Sequence, residues 1–529
     1  MTMVAASSYA HDGCGFDELQ STMMKNPIYA TQVAMLENKI YNNTNSNSSR
    51  ITGNNCQTIT GKRIYPVVVH VVWTNPTVGV GDNISDTQII NTLARVNADF
   101  ANASGLGADA NIQLVLAKRA PDGSATSGID RVDGRNITNY SQYGVTISQS
   151  AIGANNDSVR NACLWDRTQY INIWVVTKIS GSTDGFSIAS PYINNEGVTI
   201  TARDFSSQYS TCTHELGHFF GLLHTFQGQS TNPYGTCPTN NDCLQDGDKV
   251  CDTPPIRSAD YTTTPCYSGS DLENSTQNFM SYTAINNRFT AGQVARMLSF
   301  QNEEYRLRLL FSKALIPVNT SVEIALSAIE NNTAETFCGD SFIPRVSLEN
   351  IGVNSLTSCK VQVYIDGVLK TTTTITAIGL LKGDSRVFDL NPTVIGVGIH
   401  NIRCVLSEIN GSANDYFSLN NSVCGDIYFY KQNYSVSGSS ANGTVIGTGN
   451  YDCGTQVNLS ATAYNPAGYE FNRWVENNTT VSTVSNYSFI VSGNRELNAE
   501  FKLRSFSITA SCNSVNGTVT GSGDRKSVV

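Results

Sequence analysis

The segment His214-Glu215-Leu216-Gly217-His218-Phe219-Phe220-Gly221-Leu222-Leu223-His224 constrains this chain more than any other stretch. It holds three of the six histidines in 529 residues, at a spacing that suits a metal ion. On a helix, positions i and i+4 stand one above the other, so His214 and His218 face the same way. Two imidazoles so placed can each hold zinc at about 2.0–2.1 Å. Glu215 is adjacent, where a carboxylate reaches an attacking water without ligating the metal; that is the general-base position in metal-assisted peptide hydrolysis. Gly221 lets the chain leave the helix in a conformation other residues avoid. The turn that follows returns His224 as a third nitrogen ligand, with a fourth position left for water. A bare HExxH arises easily by accident on a solvated helix face. The full HExxHxxGxxH fixes five positions in a chain poor in histidine, which makes coincidence a weak explanation.

The extended pattern is the metzincin signature, and it calls for a methionine turn downstream. Asn278-Phe279-Met280-Ser281-Tyr282 supplies one. Met280 is expected as an apolar floor beneath the histidines, and Tyr282 is within reach of the metal or of the reaction's oxyanion. With HELGHFFGLLHTFQG, GDKVCDTPP, NFMSYT and RFTAGQVARM in this order, the chain between residues 60 and 315 resembles the bacterial branch of the pappalysin family. The resemblance implies a metzincin-like α/β (α+β) catalytic domain acting as a zinc endopeptidase on protein or peptide substrates. It also implies an enzyme usually secreted, often calcium-stabilised and made as a latent precursor.

Composition narrows the partners. A net charge of −9 argues against nucleic acid. Fourteen cysteines in this context point to an oxidising, extracellular or cell-surface setting. No apolar run approaches the roughly 18 residues of a membrane span. Residues 1–10 lack a basic and an apolar signal region, yet Ser8 and Ala10 fit the tail of a cleaved signal peptide. The true start is therefore expected upstream, and secretion rests on the resemblance and the cysteines.

Residues 1–60 are expected to be a pro-segment. In related pappalysins a Cys-Gly near the N-terminus blocks the zinc, and Cys14-Gly15 resembles it as a latent-form ligand; the alternative is a disulfide from Cys14 to Cys56. Arg50, Lys62 and Arg63 are candidate activation cleavage points. The catalytic domain is expected over 61–316. Tyr65 to Trp73 is a β-branched run and reads as a buried strand with a structural His70. A helix is expected from Thr87 to about Ala101, with Ile89, Ile90, Leu93, Val96 and Phe100 on one face. Further strands are expected at Ile112–Ala117 and Tyr170–Val176. Gly185–Ile200 is expected to give the edge strand for substrate. The active-site helix is expected from about Ser206 to Phe220, with Cys212 turned away from the histidines. Beyond it, Cys237, Cys243, Cys251 and Cys266 suit two local disulfides. Asp246, Asp248, Asp252 and Thr253 crowd oxygens suited to calcium, a reading the resemblance shares. Thr290 to Gln293 matches a capping box opening a helix to about Ala314. The methionine-turn loop, Thr283 to Asn287, carries no acid, so a preference for basic residues after the scissile bond is left open.

From Pro317 the pattern changes to alternating strands, an all-β tail. Residues 317–431 resemble an immunoglobulin-like sandwich in which Cys338, Cys359, Cys404 and Cys424 could form two bridges. His400 is expected to be a strand or surface residue. Asn442-Gly443-Thr444-Val445 recurs as Asn516-Gly517-Thr518-Val519. Residues 432–503 thus resemble an internalin B-type repeat, and 504–529 a second copy expected to be cut short. Such modules suit spacing or adhesion, including cell-surface or polysaccharide contact. Two rival readings are an inactive surface adhesin and a zinc hydrolase of another clan with a distant carboxylate as third ligand.

Overall fold

The computed structural model describes residues 13–45, 59, 61–147, 152–229, 236–257, 266–267, 269–283, 285–331, 335–337, 341–412, 415–513, 515–521 and 523–526. Two helices come first, α1 (Phe16–Met23) and α2 (Pro27–Asn45). A mixed sheet follows, built on β1 (Arg63–Trp73), whose residues from Tyr65 to Val72 are buried on both faces. That is why the strand is a nearly unbroken apolar run and not an alternating one. Its sheet has the order β2 (Ile112–Leu116), β1, β4 (Ile171–Val176), β6 (Gly197–Thr201), β5 (Gly185–Ile188), with β3 (Ile129–Asp133) also pairing β1. All pairs are parallel except β5 with β6, so an antiparallel strand forms the edge beside the site.

Helix α3 (Asp86–Phe100) packs Ile89, Leu93, Val96 and Phe100 into the core shared with α5 (Thr211–Phe219), whose every residue is buried. Ser85 caps α3 by accepting the Gln88 amide. Ile90, expected on the same face, is 54% exposed. On the sheet's other side a second cluster joins Tyr140, Val145, Trp174 and Phe186, and between β3 and β4 lies the short α4 (Asn156–Asn161).

Several expectations need correction. The active-site helix begins at Thr211, not near Ser206. Asp204 accepts from the Thr201 hydroxyl and pairs with Arg203, which holds the preceding residues in turns. The helix opened by the Thr290–Gln293 capping box ends at Gln301, giving α6 (Ala291–Gln301) and then α7 (Glu304–Leu310). Glu303 between them is extended, its carboxylate drawn to Lys39 of α2. Leu298 of α6 is 41% exposed. Arg63 is an unsuitable cleavage point: it is 6% exposed, pairs with Ile112 in the sheet and donates to Asn302. Arg50 and Cys56 lie outside the described residues.

The tail is mostly strands. Within residues 324–431 a five-stranded sheet, a three-stranded sheet and a two-stranded pair share one core of Leu326, Val346, Val361, Val363, Ile402 and Ile427, among others. Cys359 and Cys404 are free thiols there, so two bridges across this unit do not form. Cys404 faces Val363, four residues from Cys359, which separates the two by about 13 Å at strand spacing, beyond disulfide reach. His400 is half-buried on its strand and pairs with Asp366. A further pair of sheets spans Asn433–Leu503 around Trp474, and a two-stranded hairpin pairs Ser505–Ile508 with Gly523–Lys526. Among the described residues no helix is long and apolar enough to cross a membrane.

Candidate metal centre

Helix α5 stacks His214 above His218, and Gly221 ends it at φ +91°. A Cβ at Gly221 would also lie 2.7 Å from the Phe300 ring, so the turn both needs and has room only for glycine. The chain then brings His224 back. His214 Nε2 and His218 Nε2 lie 3.2 and 3.1 Å from His224 Nε2. The opposite nitrogens face acceptors: His214 Nδ1 lies 2.6 Å from Phe279 O, His218 Nδ1 2.8 Å from Leu222 O, and His224 Nδ1 3.0 Å from Asp17 Oδ2. These contacts fix Nδ1 as the protonated atom and leave the converging Nε2 lone pairs for a cation. Two nitrogens at zinc distance and tetrahedral angle stand about 3.3 Å apart, so the donor set fits zinc.

Met280 lies beneath. It is fully buried, and its Sδ would be 2.4 Å from a Cβ on Gly217, the residue between the two helix histidines. Asn278 Oδ1 accepts the Met280 amide and so shapes the turn. The Tyr282 hydroxyl is 3.2 Å from His224 Nε2. Burial pushes its pKa well up, with Cys14 and Asp17 adding to the effect, so it stays a donor. Glu215 is fully buried behind β5; a Cβ on Gly185 would lie 3.0 Å from its Cγ, so the edge strand approaches the carboxylate only as glycine.

The N-terminal segment fills the remaining space. Cys14 is a free thiol, which removes the Cys56 alternative, and its Sγ lies 3.6 Å from His218 Nε2. A sulfur and a nitrogen on one tetrahedral zinc are about 3.6 Å apart. Cys14, His214, His218 and His224 form a single ligand cluster. Burial, then the Glu215 carboxylate, pushes the Cys14 thiol well above its ordinary pKa, and a cation at the cluster would favour the thiolate. Cys14 bridges Gly185 in parallel, with the Gly15 amide donating to Gly185 O and the Asp184 amide to Gly13 O. Cβ atoms at Gly13 and Gly15 would meet Ser182 O at 2.3 Å and Ile147 Cδ1 at 2.7 Å, so glycine on both sides admits the cysteine.

Two contacts escaped the sequence reading. Phe16 stacks on His218 with centroids 4.0 Å apart, and Asp17 accepts from His224. Burial opposes ionisation of Asp17, but the His224 imidazole holds its pKa below the usual value. Their adjacency to Cys14 was the one available signal.

Most of the oxygens expected to hold calcium are engaged by the chain itself. Asp246 accepts from the Asn241 and Asp242 amides, and Thr253 donates to Val250 O. Asp252 accepts from the Thr290 hydroxyl and the Gly292 amide, capping α6. Asp248 differs: it is 6% exposed, its Oδ2 has no hydrogen-bond partner, and burial pushes its pKa up to about 8. Around them the four cysteines nest as Cys237–Cys266 and Cys243–Cys251. His70 has both ring nitrogens in hydrogen bonds, to Asp130 and Asn172.

Residues 153–302 match the peptidase family of Pregnancy-associated plasma protein-A, and residues 434–505 the Divergent InlB B-repeat domain. An extracellular metalloprotease of Sordaria macrospora is 40% identical over 101 residues, 18% of this chain and 30% of that protein. The chain thus spans less than a third of that relative's length. One from Pyricularia oryzae is 29% identical over 251 residues, 44% of this chain and 72% of its own. Among solved structures, a promirolysin mutant of Tannerella forsythia covers 56% of this chain and 97% of its own at 24% identity and TM-score 0.40. Mirolysin in complex with a compound numbered 9 covers 49% and 98% at 28% identity and TM-score 0.36.

Proposed function

Because residues 153–302 carry a peptidase domain of the pregnancy-associated plasma protein-A (pappalysin) family, we propose that this chain is a zinc-dependent endopeptidase, exported and made latent. The observation that carries the reading is the convergence of three Nε2 atoms at 3.1–3.2 Å with their Nδ1 atoms facing acceptors. His214, His218 and His224 would hold the zinc, which would supply a Lewis acid for the scissile carbonyl and for deprotonation of water.

The chain's own groups do the rest. Glu215 accepts a proton from the attacking water and returns it to the leaving amine. The protonated Tyr282 hydroxyl donates to the oxygen where negative charge develops. Phe279 O and Leu222 O keep two rings in register, and Met280 fills the space under them. The Gly185–Ile188 edge strand binds the substrate backbone by strand addition.

Latency follows from the N-terminal segment. Cys14 as fourth ligand closes the site, since three histidines and a thiolate leave no position for water. Its parallel pairing with Gly185 also occupies the strand a substrate would use. Calcium remains part of the proposal only at Asp248, the buried carboxylate with an unused oxygen. The extracellular setting is supported by the relatives named extracellular metalloproteases. The test is hydrolysis of denatured casein by the full chain after cleavage within residues 46–60. Hydrolysis is expected to cease with a chelator and return with zinc. Activity untouched by chelation, or none under any activation, would sink the reading and favour an adhesin.

A further inference from the structure

A cavity of about 950 Å³ lies beneath α1, at the Ile188 end of the edge strand. Its apolar wall is made by Ile147, Leu164 and Ile188, with Leu19 of α1 packed against the same cluster. Asp157 is the one charged side chain among the described lining residues, on the first turn of α4. Its Oδ1 accepts from Asn195 Nδ2 at 2.9 Å and from Asn156 Nδ2 at 3.4 Å, which leaves Oδ2 for another donor. Asn156, also lining the cavity, is 7% exposed, and its Oδ1 has no hydrogen-bond partner.

A buried acceptor without a donor is costly unless something fills it. Here the Asn156 oxygen is such an acceptor, and the exposed carboxylate of Asp157 lines the same cavity as the apolar Ile147, Leu164 and Ile188. The side chain that matches has an apolar stem, a fixed positive charge and several N–H donors. Arginine meets all three conditions and lysine fewer, because its three donors are gathered on one atom.

Position along the substrate follows from the strand. Gly185 lies against Glu215, and Ile188 is three residues further on, about 10 Å at strand rise. We propose that this groove, vacated when α1 departs, is a subsite for an arginine borne about three or four residues from the scissile bond. The proposal rests on the peptidase reading above.

The test uses the full chain, activated and freed of its N-terminal segment, on a peptide library with cleavage sites read by mass spectrometry on both flanks. Arginine is expected at the third or fourth position of one flank, favoured over norleucine by about fivefold or more in kcat/KM. Asp157→Asn should bring that ratio close to one, and Asp157→Lys should turn it in favour of glutamate. The reversal is a readout that a merely structural role of Asp157 would not produce. A wild-type library without arginine enrichment there, or enrichment that persists in Asp157→Asn, overturns the subsite while leaving chelator-sensitive cleavage intact. No cleavage of any peptide removes the peptidase reading itself, and the subsite with it.

Discussion

At the scale of single residues, the role proposed for Glu215 separates metal binding from chemistry. Its carboxylate is no member of the ligand cluster of Cys14 and the three histidines. Glu215→Ala should therefore retain about one zinc per chain by elemental analysis and lose at least about a thousandfold in casein hydrolysis, as expected when a general base in a preorganised site is removed. Retained hydrolysis in a zinc-loaded variant would refute the general-base role. Cys14 and Asp17 give a second prediction. Cys14→Ser removes the sulfur proposed to close the site, yet Phe16 stays on His218 and Asp17 on His224. Basal activity of the uncleaved chain should rise only partly in Cys14→Ser and further in Cys14→Ser/Asp17→Asn, measured on a quenched peptide. Equal activity in the two variants would exclude a part for Asp17. The rings' convergence was readable from helix spacing, which fixes neighbours at i+4. Phe16 and Asp17 were not, because their contacts span about 200 residues and depend on where the chain turns back.

Among elements, α2 acts as a strap. Leu36 and Ile40 pack on Phe300 of α6, and Glu37 lies between Arg296 at 2.8 Å and Lys249 at 2.9 Å. Burial alone would raise the Glu37 pKa, but the guanidinium of Arg296 and the ammonium of Lys249 hold it below the ordinary carboxylate value. A depressed pKa stabilises the docked state fully above the undocked value, and that contribution is lost as pH falls through the docked one. Docking should therefore be level from neutral pH to about 5 and weaken below about 4. Limited proteolysis of residues 13–45 as a function of pH reads this directly. Glu37→Gln should expose the segment at neutral pH and flatten the acid dependence; an unchanged profile would count against the strap. Element types were legible where the pattern is strong, as in the β1 run and the α3 cap. Their ends were less so: the Asp204 turns delay α5, and the Lys39 pull on Glu303 divides α6 from α7. Both effects come from tertiary partners that local pattern does not carry.

On the scale of the whole molecule, metal removal should act on one part of the chain. The three histidines of the cluster lie between His214 and His224: His214 and His218 on α5, whose every residue is buried, and His224, also buried, on the turn beyond it. Nothing in the cluster comes from residues beyond 317. A ligand that binds only the folded state stabilises it by an amount set by its concentration over Kd, about 4 kcal/mol at a thousandfold excess. Chelation should thus lower the thermal transition of the peptidase part by several degrees and leave that of the strand-rich tail in place, with two transitions expected because separate cores do not melt as one. The uncleaved chain adds a kinetic difference. If Cys14 serves as the proposed fourth ligand, held by backbone pairing to Gly185, zinc should leave the latent form more slowly than the activated form or Cys14→Ser at the same chelator concentration. Calorimetry with and without chelator, and zinc release followed by a metal indicator, check the two halves. A tail transition that moved with the metal would mean that the cores are coupled, and equal release rates would mean that the sulfur does not touch the ion.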